Sequence, residues 1–285
     1  MKTGKLVWII FLSALLVIPI LYVFFHQTSI PATTEPIKEP QTVTDSGKEG
    51  QMPAHPQPQP EPTPPPPQEP PQLLWGVDTA SKLDQAFLQC VIDNYGKPSV
   101  FGRYLETKEG VSTGLTPDEV ELLHQQGIKI IPIYNHFTNA TVYENGVKEA
   151  QEAIAYAQQL GIPEGKAIFA DIEPTYPVDE AFIRGWVATL LGSPYKPGIY
   201  GVFTNDSTLT AAYQAAITVN QNVQSKTIIW SSNPDLGVTP QVNAPEFQPG
   251  APANVPVSIW QYGIDGEACN IDTNLIQSTI LDFLW

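Results

Sequence analysis

The chain reads as an α/β protein whose folded part is a (β/α) barrel, somewhat irregular, preceded by one transmembrane helix and a disordered proline-rich linker. Three observations predict this. From Leu73 onward, short apolar runs alternate with stretches of helical periodicity. The strand-like runs are nearly continuously apolar, as strands covered by helices are. No glycine-rich phosphate loop follows the first of them, which disfavours the open, doubly wound nucleotide-binding alternative.

The first element is the span. Leu6 to Phe25 is a run of 20 residues without a charge. At ~1.5 Å per residue it reaches about 30 Å, the thickness of a bilayer's hydrocarbon core. Lys2 and Lys5 precede it and no Lys or Arg follows until Lys38, so the positive-inside bias places everything after Phe25 outside the cytoplasm. Pro19 is tolerated within a span. A cleaved signal peptide is the competing reading. Its apolar core is normally ~7–15 residues, and Ile30-Pro31-Ala32 is a poor cleavage site, so an uncleaved anchor over residues 1–25 is preferred. Residues 26–72 hold 14 of the chain's 29 prolines and read as a polyproline-rich stalk, a spacer rather than a ligand for a proline-binding module.

Residues 73–285 form the folded domain. Strand-like runs fall at Leu73–Asp78, Ser99–Leu105, Ile128–Tyr134, Lys166–Glu173, Gly198–Phe203, Thr227–Ser231 and Val257–Tyr262. The first five are each followed by a helical pattern. Thr116-Pro117-Asp118-Glu119 supplies an N-cap, a first-turn proline and a capping-box glutamate, and Gly127 ends that helix. Phe182, Ile183, Trp186, Val187 and Leu190 recur on one helix face. A further short strand is sought between the last two runs, but Pro240 to Pro256 reads as loop.

The domain carries 10 Lys+Arg against 23 Asp+Glu, a net charge of −13 that excludes nucleic acid as a natural partner. Four histidines lie scattered with no pair at ligand spacing, so neither a metal site nor a cofactor is expected. In an oxidising compartment Cys90 and Cys269 either form a disulfide, or Cys90 is a small apolar residue on a buried helix face.

In a barrel, functional groups gather at the C-terminal ends of strands. Asp78 ends the first strand, Asp171 and Glu173 end the fourth, and Asp272 follows the last. Residues two apart share a strand face with Cα atoms about 6.6 Å apart, so Ile172 points to the helices and both acids point to the pocket. Such a pair titrates jointly, and glycoside cleavage uses a proton donor beside a persistent carboxylate. The alternative is a solvated or salt-bridged strand end. Tyr104, Tyr134, Tyr200, Trp230, Trp260 and Tyr262 lie in or at the ends of strands, offering flat faces to a sugar or packing into the core. His136, just past the third strand, is either an orienting partner for a carboxylate or a structural residue.

Trp75-Gly76-Val77-Asp78, Ile168-Phe169-Ala170-Asp171-Ile172-Glu173-Pro174, Gly198-Ile199-Tyr200, Ser258-Ile259-Trp260-Gln261-Tyr262 and Asn270-Ile271-Asp272 stand in one order. On these motifs the chain resembles the bacterial glycoside-hydrolase-like domains of the Rv2525c-like (DUF1906) family, itself similar to family 25 lysozymes. The resemblance implies a TIM-like barrel of 73–285, a cell-wall glycan as partner, and a monomeric enzyme acting on peptidoglycan. It implies Glu173 as the general acid and Asp171 as the assisting carboxylate. Asp78, Asp272, Tyr134 and Tyr200 would contact substrate, with Trp230 and Gln261 beside them. Two segments depart from the lysozyme pattern: Ile133-Tyr134-Asn135-His136-Phe137 and Glu106 to Gly114. The rival function is a non-catalytic glycan-binding domain on the same barrel.

Overall fold

The structure, a computed structural model, describes residues 71–285. The predicted anchor and nearly all of the stalk lie outside the described residues. Among the described residues, no helix is long and apolar enough to cross a membrane.

Eight strands close into a barrel in sequence order: β1 (Leu73–Asp78), β2 (Val100–Tyr104), β3 (Lys129–Tyr134), β4 (Ala167–Ile172), β5 (Lys196–Gly201), β6 (Ile228–Ser232), β7 (Val257–Gly263) and β8 (Asp272–Gln277). The first seven run parallel. β8 runs antiparallel to both β7 and β1 and closes the sheet. The eighth strand therefore follows β7 rather than preceding it, and the segment between β6 and β7 is loop with one 3₁₀ turn at Gln241–Asn243. Asp272 does not follow the last strand. It opens β8, and because β8 is reversed its first residue pairs with Asp78 at the same rim.

Helices α1 (Gln85–Asn94), α2 (Pro117–Gln125), α3 (Tyr143–Gln159), α4 (Glu180–Leu191) and α5 (Thr208–Val219) follow β1 to β5, with a short α6 (Asn222–Lys226) before β6. The expected start of α2 is present in full: the Thr116 hydroxyl accepts from Glu119 N, and the Glu119 carboxylate accepts from Thr116 N. Gly127, at φ +70°, supplies the left-handed residue after that helix. All five predicted core residues of α4 are buried against β4, β5 and α3.

The barrel interior is filled from the floor up. Ile131, Ile133, Phe169, Ile259 and Ile276 pack inside it, and Ile280 and Leu284, at the C-terminal end, plug the bottom. Two aromatic rings need glycine opposite them. A Cβ on Gly198 would lie 2.5 Å from the Phe169 ring, and one on Gly102 would lie 2.6 Å from Asp78 Cβ and 3.2 Å from the Trp230 ring. Small residues thus let large ones fill a narrow tube, leaving space only at the upper rim. Cys90 of α1 and Cys269 of the β7–β8 loop form a disulfide across 179 residues of chain.

Candidate functional site

Strand alternation places the acids. On β4, Phe169 and Asp171 point inward while Ala170 and Ile172 pack among the helices, so Glu173 continues the inward row. Asp78 ends the inward row of β1, and Asp272 starts that of β8. Asp78, Asp171, Glu173 and Asp272 line one cavity of about 70 Å³ with Tyr104, Ile133, Tyr200, Trp230 and Gln261. A second space of about 320 Å³ adjoins it, sharing Glu173, Tyr200, Gln261 and Asp272 and walled by Pro234 and Ile264.

Gln261 is the hub. Its carboxamide oxygen accepts from Tyr200 OH and Ser232 Oγ, both at 2.8 Å, and its nitrogen donates to Asp78 Oδ2 and Asp272 Oδ2, both at 3.2 Å. Asn274 donates to Asp78 Oδ2 at 2.6 Å and accepts from the Trp230 indole N–H at 2.8 Å. Neutral amides therefore hold Asp78. Asp272 also accepts from Asp265 N at 2.9 Å. Asp171, only 3% exposed, keeps Oδ1 without a hydrogen-bond partner.

This environment raises every acid. Burial pushes Asp78 up to about 6, against the pull of its Asn274 and Gln261 hydrogen bonds. Burial, with Asp78 next in weight, pushes Asp272 up to about 8. Asp171 is held well above the carboxylate range by burial and by the charges of Glu173 and Asp78. Burial also raises Glu173, while Asp171 and the Lys108 ammonium pull it back. The two carboxyls titrate as a pair, and Glu173 is its more open member.

Most predicted site residues converge here. Tyr200 lines the cavity, its ring edge-on to Trp230 at 4.8 Å. Trp230 forms a wall, and its N–H is taken by Asn274. Gln261 orients acids rather than reaching outward with a free group. Tyr134 is a correction: it is 1% exposed and faces the helices. Its hydroxyl donates to Glu149 of α3 at 2.7 Å, and its ring stacks on Trp186 of α4. The inward residue of β3 beside the cavity is Ile133. His136 meets Glu106 and Glu152, not the cavity acids.

Tyr104, one of the strand-end aromatics the sequence offered, lines the cavity from β2. Two contributors escaped the sequence reading of the site. Asn274 was hidden with β8. Lys108 left no signal. Its ammonium donates to Asn135 O (2.6 Å) and Phe137 O (3.1 Å) and lies 3.4 Å from Tyr176 OH, joining the loops after β2, β3 and β4.

An acidic pocket at the rim of a closed (β/α) barrel, with paired carboxylates two apart at the end of β4, defines a glycoside-hydrolase-like domain. Residues 97–276 match the family model described as "Rv2525c-like, glycoside hydrolase-like domain", and the chain belongs to that family. Among solved structures, an uncharacterized B. stearothermophilus protein is 42% identical, covering 74% of this chain and 100% of its own, with a TM-score of 0.72. The Mycobacterium tuberculosis Tat-secreted protein Rv2525c, in complex with L-tartrate, is 16% identical over 73% of this chain and 97% of its own, with a TM-score of 0.50. A glycosyl hydrolase 25 of Streptococcus pneumoniae, GHIP, is 14% identical over 74% and 89%, with a TM-score of 0.49. No curated protein matches the chain.

Proposed function

We propose that this protein is a membrane-tethered, extracytoplasmic glycoside hydrolase that cleaves peptidoglycan or a related N-acetylated cell-wall glycan. The observation that carries the reading is the Asp171–Glu173 pair. Two raised acids share one inward strand row, and one of them opens toward a space of about 320 Å³. That space is of the size small-molecule sites occupy, whereas the acid-lined cavity below it is smaller than a sugar site needs. The sugar chain lies across the upper space, and the acids reach it from beneath.

Glu173 protonates the bridging glycosidic oxygen as the bond to the anomeric carbon breaks and the substrate's own acetamido oxygen bonds to that carbon. A water then adds there, giving its proton to the Glu173 carboxylate and restoring the acetamide. Asp171 orients the substrate's acetamido group and stabilises positive charge at the reacting sugar. The acetamido N–H, hydrogen-bonded to Asp171, favours its charged form and leaves the pair's proton on Glu173. Asp78 and Asp272, fixed through Gln261 and Asn274, hold the pair's surroundings in place. The disulfide supports an oxidising compartment, in keeping with an anchor at Leu6–Phe25 and a domain outside the cytoplasm.

The test is reducing-end release from purified peptidoglycan by residues 73–285, run beside Glu173→Gln. Loss of roughly 10²-fold or more in the variant, the ordinary contribution of a general acid, is expected. Cleavage that persists in Glu173→Gln removes the assignment. Saturable glycan binding without release from either protein gives the barrel a binding role instead.

A further inference from the structure

Glu106 to Gly114, the segment that departs from the lysozyme pattern, folds back on itself and presents one lysine. Lys108 N donates to Ser112 O at 3.0 Å and Ser112 N donates to Lys108 O at 2.9 Å, closing a short turn with Gly110 at φ +73°. Two ties fix the turn to its neighbours: Thr113 N donates to Ala80 O at 2.8 Å, and Asn135 Nδ2 donates to Ser112 Oγ at 3.1 Å. The Lys108 ammonium is then engaged by neutral groups, Asn135 O at 2.6 Å, Phe137 O at 3.1 Å and Tyr176 OH at 3.4 Å. We infer that Lys108 is a positioning residue of the reaction. It clamps the loops after β3 and β4 beside Asp171 and Glu173, and it lends that pair a positive charge that no carboxylate neutralises in contact.

The partners of the ammonium carry the inference. Among the described residues, no carboxylate forms an ion pair with Lys108, whereas Arg103, the cation one strand turn away, is paired with Glu119. A carbonyl takes a hydrogen bond without cancelling the charge, so the field of Lys108 extends to its surroundings. The link to the acids is short. Tyr176, whose ring centroid lies 5.7 Å from the ammonium, donates its N–H to Glu173 O at 2.9 Å and so belongs to the turn that carries Glu173. With its hydrogens directed at protein acceptors, Lys108 acts through that turn and through its charge, not by touching the sugar.

The electrostatics agree. Burial raises Asp171 and Glu173, and Lys108 pulls both back down. Tyr176, raised chiefly by burial, also feels both acids. The other elements packed on the pair bring Asp78 from β1, Tyr104 from β2, Tyr200 from β5 and Asp272 from β8. Asp206 and Asp265 stand on the outer walls of the spaces beside Glu173. These are acids and phenols, so Lys108 is the cation set against them. The inference deepens the hydrolase reading, on which its catalytic meaning rests. Turnover needs one proton on the pair, with Glu173 protonated and Asp171 ionised. Burial among acids favours two protons, and a nearby cation moves both ionisations to lower pH.

The experiment compares the full-length protein with Lys108→Met and Lys108→Arg. It reads the pH profile of kcat/KM on purified peptidoglycan and the ¹³C carboxyl titrations of Asp171 and Glu173. Loss of the charge in Lys108→Met is expected to move both limbs of the profile, and both steps of the titration, upward by about half a pH unit or more. Lys108→Arg keeps the charge and should leave both in place, whatever the height of its rate. A Lys108→Met rate that falls at every pH, with unmoved limbs and titration, makes Lys108 a structural clamp and overturns the inference. An equal shift in Lys108→Arg overturns it too. Should Lys108→Met fail to fold, Lys108→Gln, neutral but still able to donate, carries the comparison. Absent turnover in the unmodified protein strikes the hydrolase reading, while a carboxyl titration that ignores Lys108 strikes this inference.

Discussion

Glu119 and Asp171 are both almost wholly removed from water, at 2% and 3% exposure, yet the fold treats them in opposite ways. Glu119, on the outer side of β2, meets the Arg103 guanidinium at 2.9 Å and accepts from Leu83 N and Thr116 N. Arg103 in turn donates to Thr79 O and Thr113 O. Asp171, inside the barrel, faces three other acids and leaves one oxygen without a partner. A buried charge that only holds loops together is given its counter-charge. Asp171 has no such partner, and its pKa rises in consequence. The same rule separates the pocket from the rest of the molecule.

Arg103→Leu should break the first half of this contrast most severely. It strands Glu119 and is expected to cost about 3–5 kcal/mol in urea unfolding, with part of the loss recovered in Arg103→Leu/Glu119→Gln. Asp171→Asn should do the reverse, abolishing turnover while leaving stability unchanged or raised by ~1 kcal/mol near neutral pH. A clear loss of stability in that variant would mean that Asp171 has a counter-charge in solution. The smallest effect sharpens the contrast through pH. Asp78 at about 6 and Asp272 at about 8 both lie above their ordinary 3.8, so the folded state holds extra protons across that window. The stability they confer is complete below about pH 4 and is lost as pH rises through 6 and then 8. Asp272→Asn should flatten the upper part of that decline, by ~1 kcal/mol between pH 6 and 8 in urea titrations.

Seven strands were legible because their apolar runs are bounded by turns and followed by helical patterns. β8 was not. Its inward positions are Asp272 and Asn274, pocket residues that interrupt the apolar row, and a bulged turn rather than a helix leads into it. Asp171 and Glu173 were placed correctly because acid, isoleucine and acid in succession declare which face is inward. Tyr134 was not, because Ile130-Ile131-Pro132-Ile133-Tyr134 is apolar throughout and carries no alternation to assign its faces. The acidic core of the site and one orienting amide, Gln261, were therefore readable, while the other, Asn274, depended on a strand the sequence disguised.

The reversed β8 has a consequence for how the domain is joined to anything else. Leu73 pairs with Gln277, and Ser278 N donates to Gln72 O at 2.8 Å, so the chain enters and leaves at the floor while the acids sit at the opposite rim. Such a domain behaves as a cassette. Fusions at either end, or transplantation into a loop of another protein, should leave its mouth unobstructed.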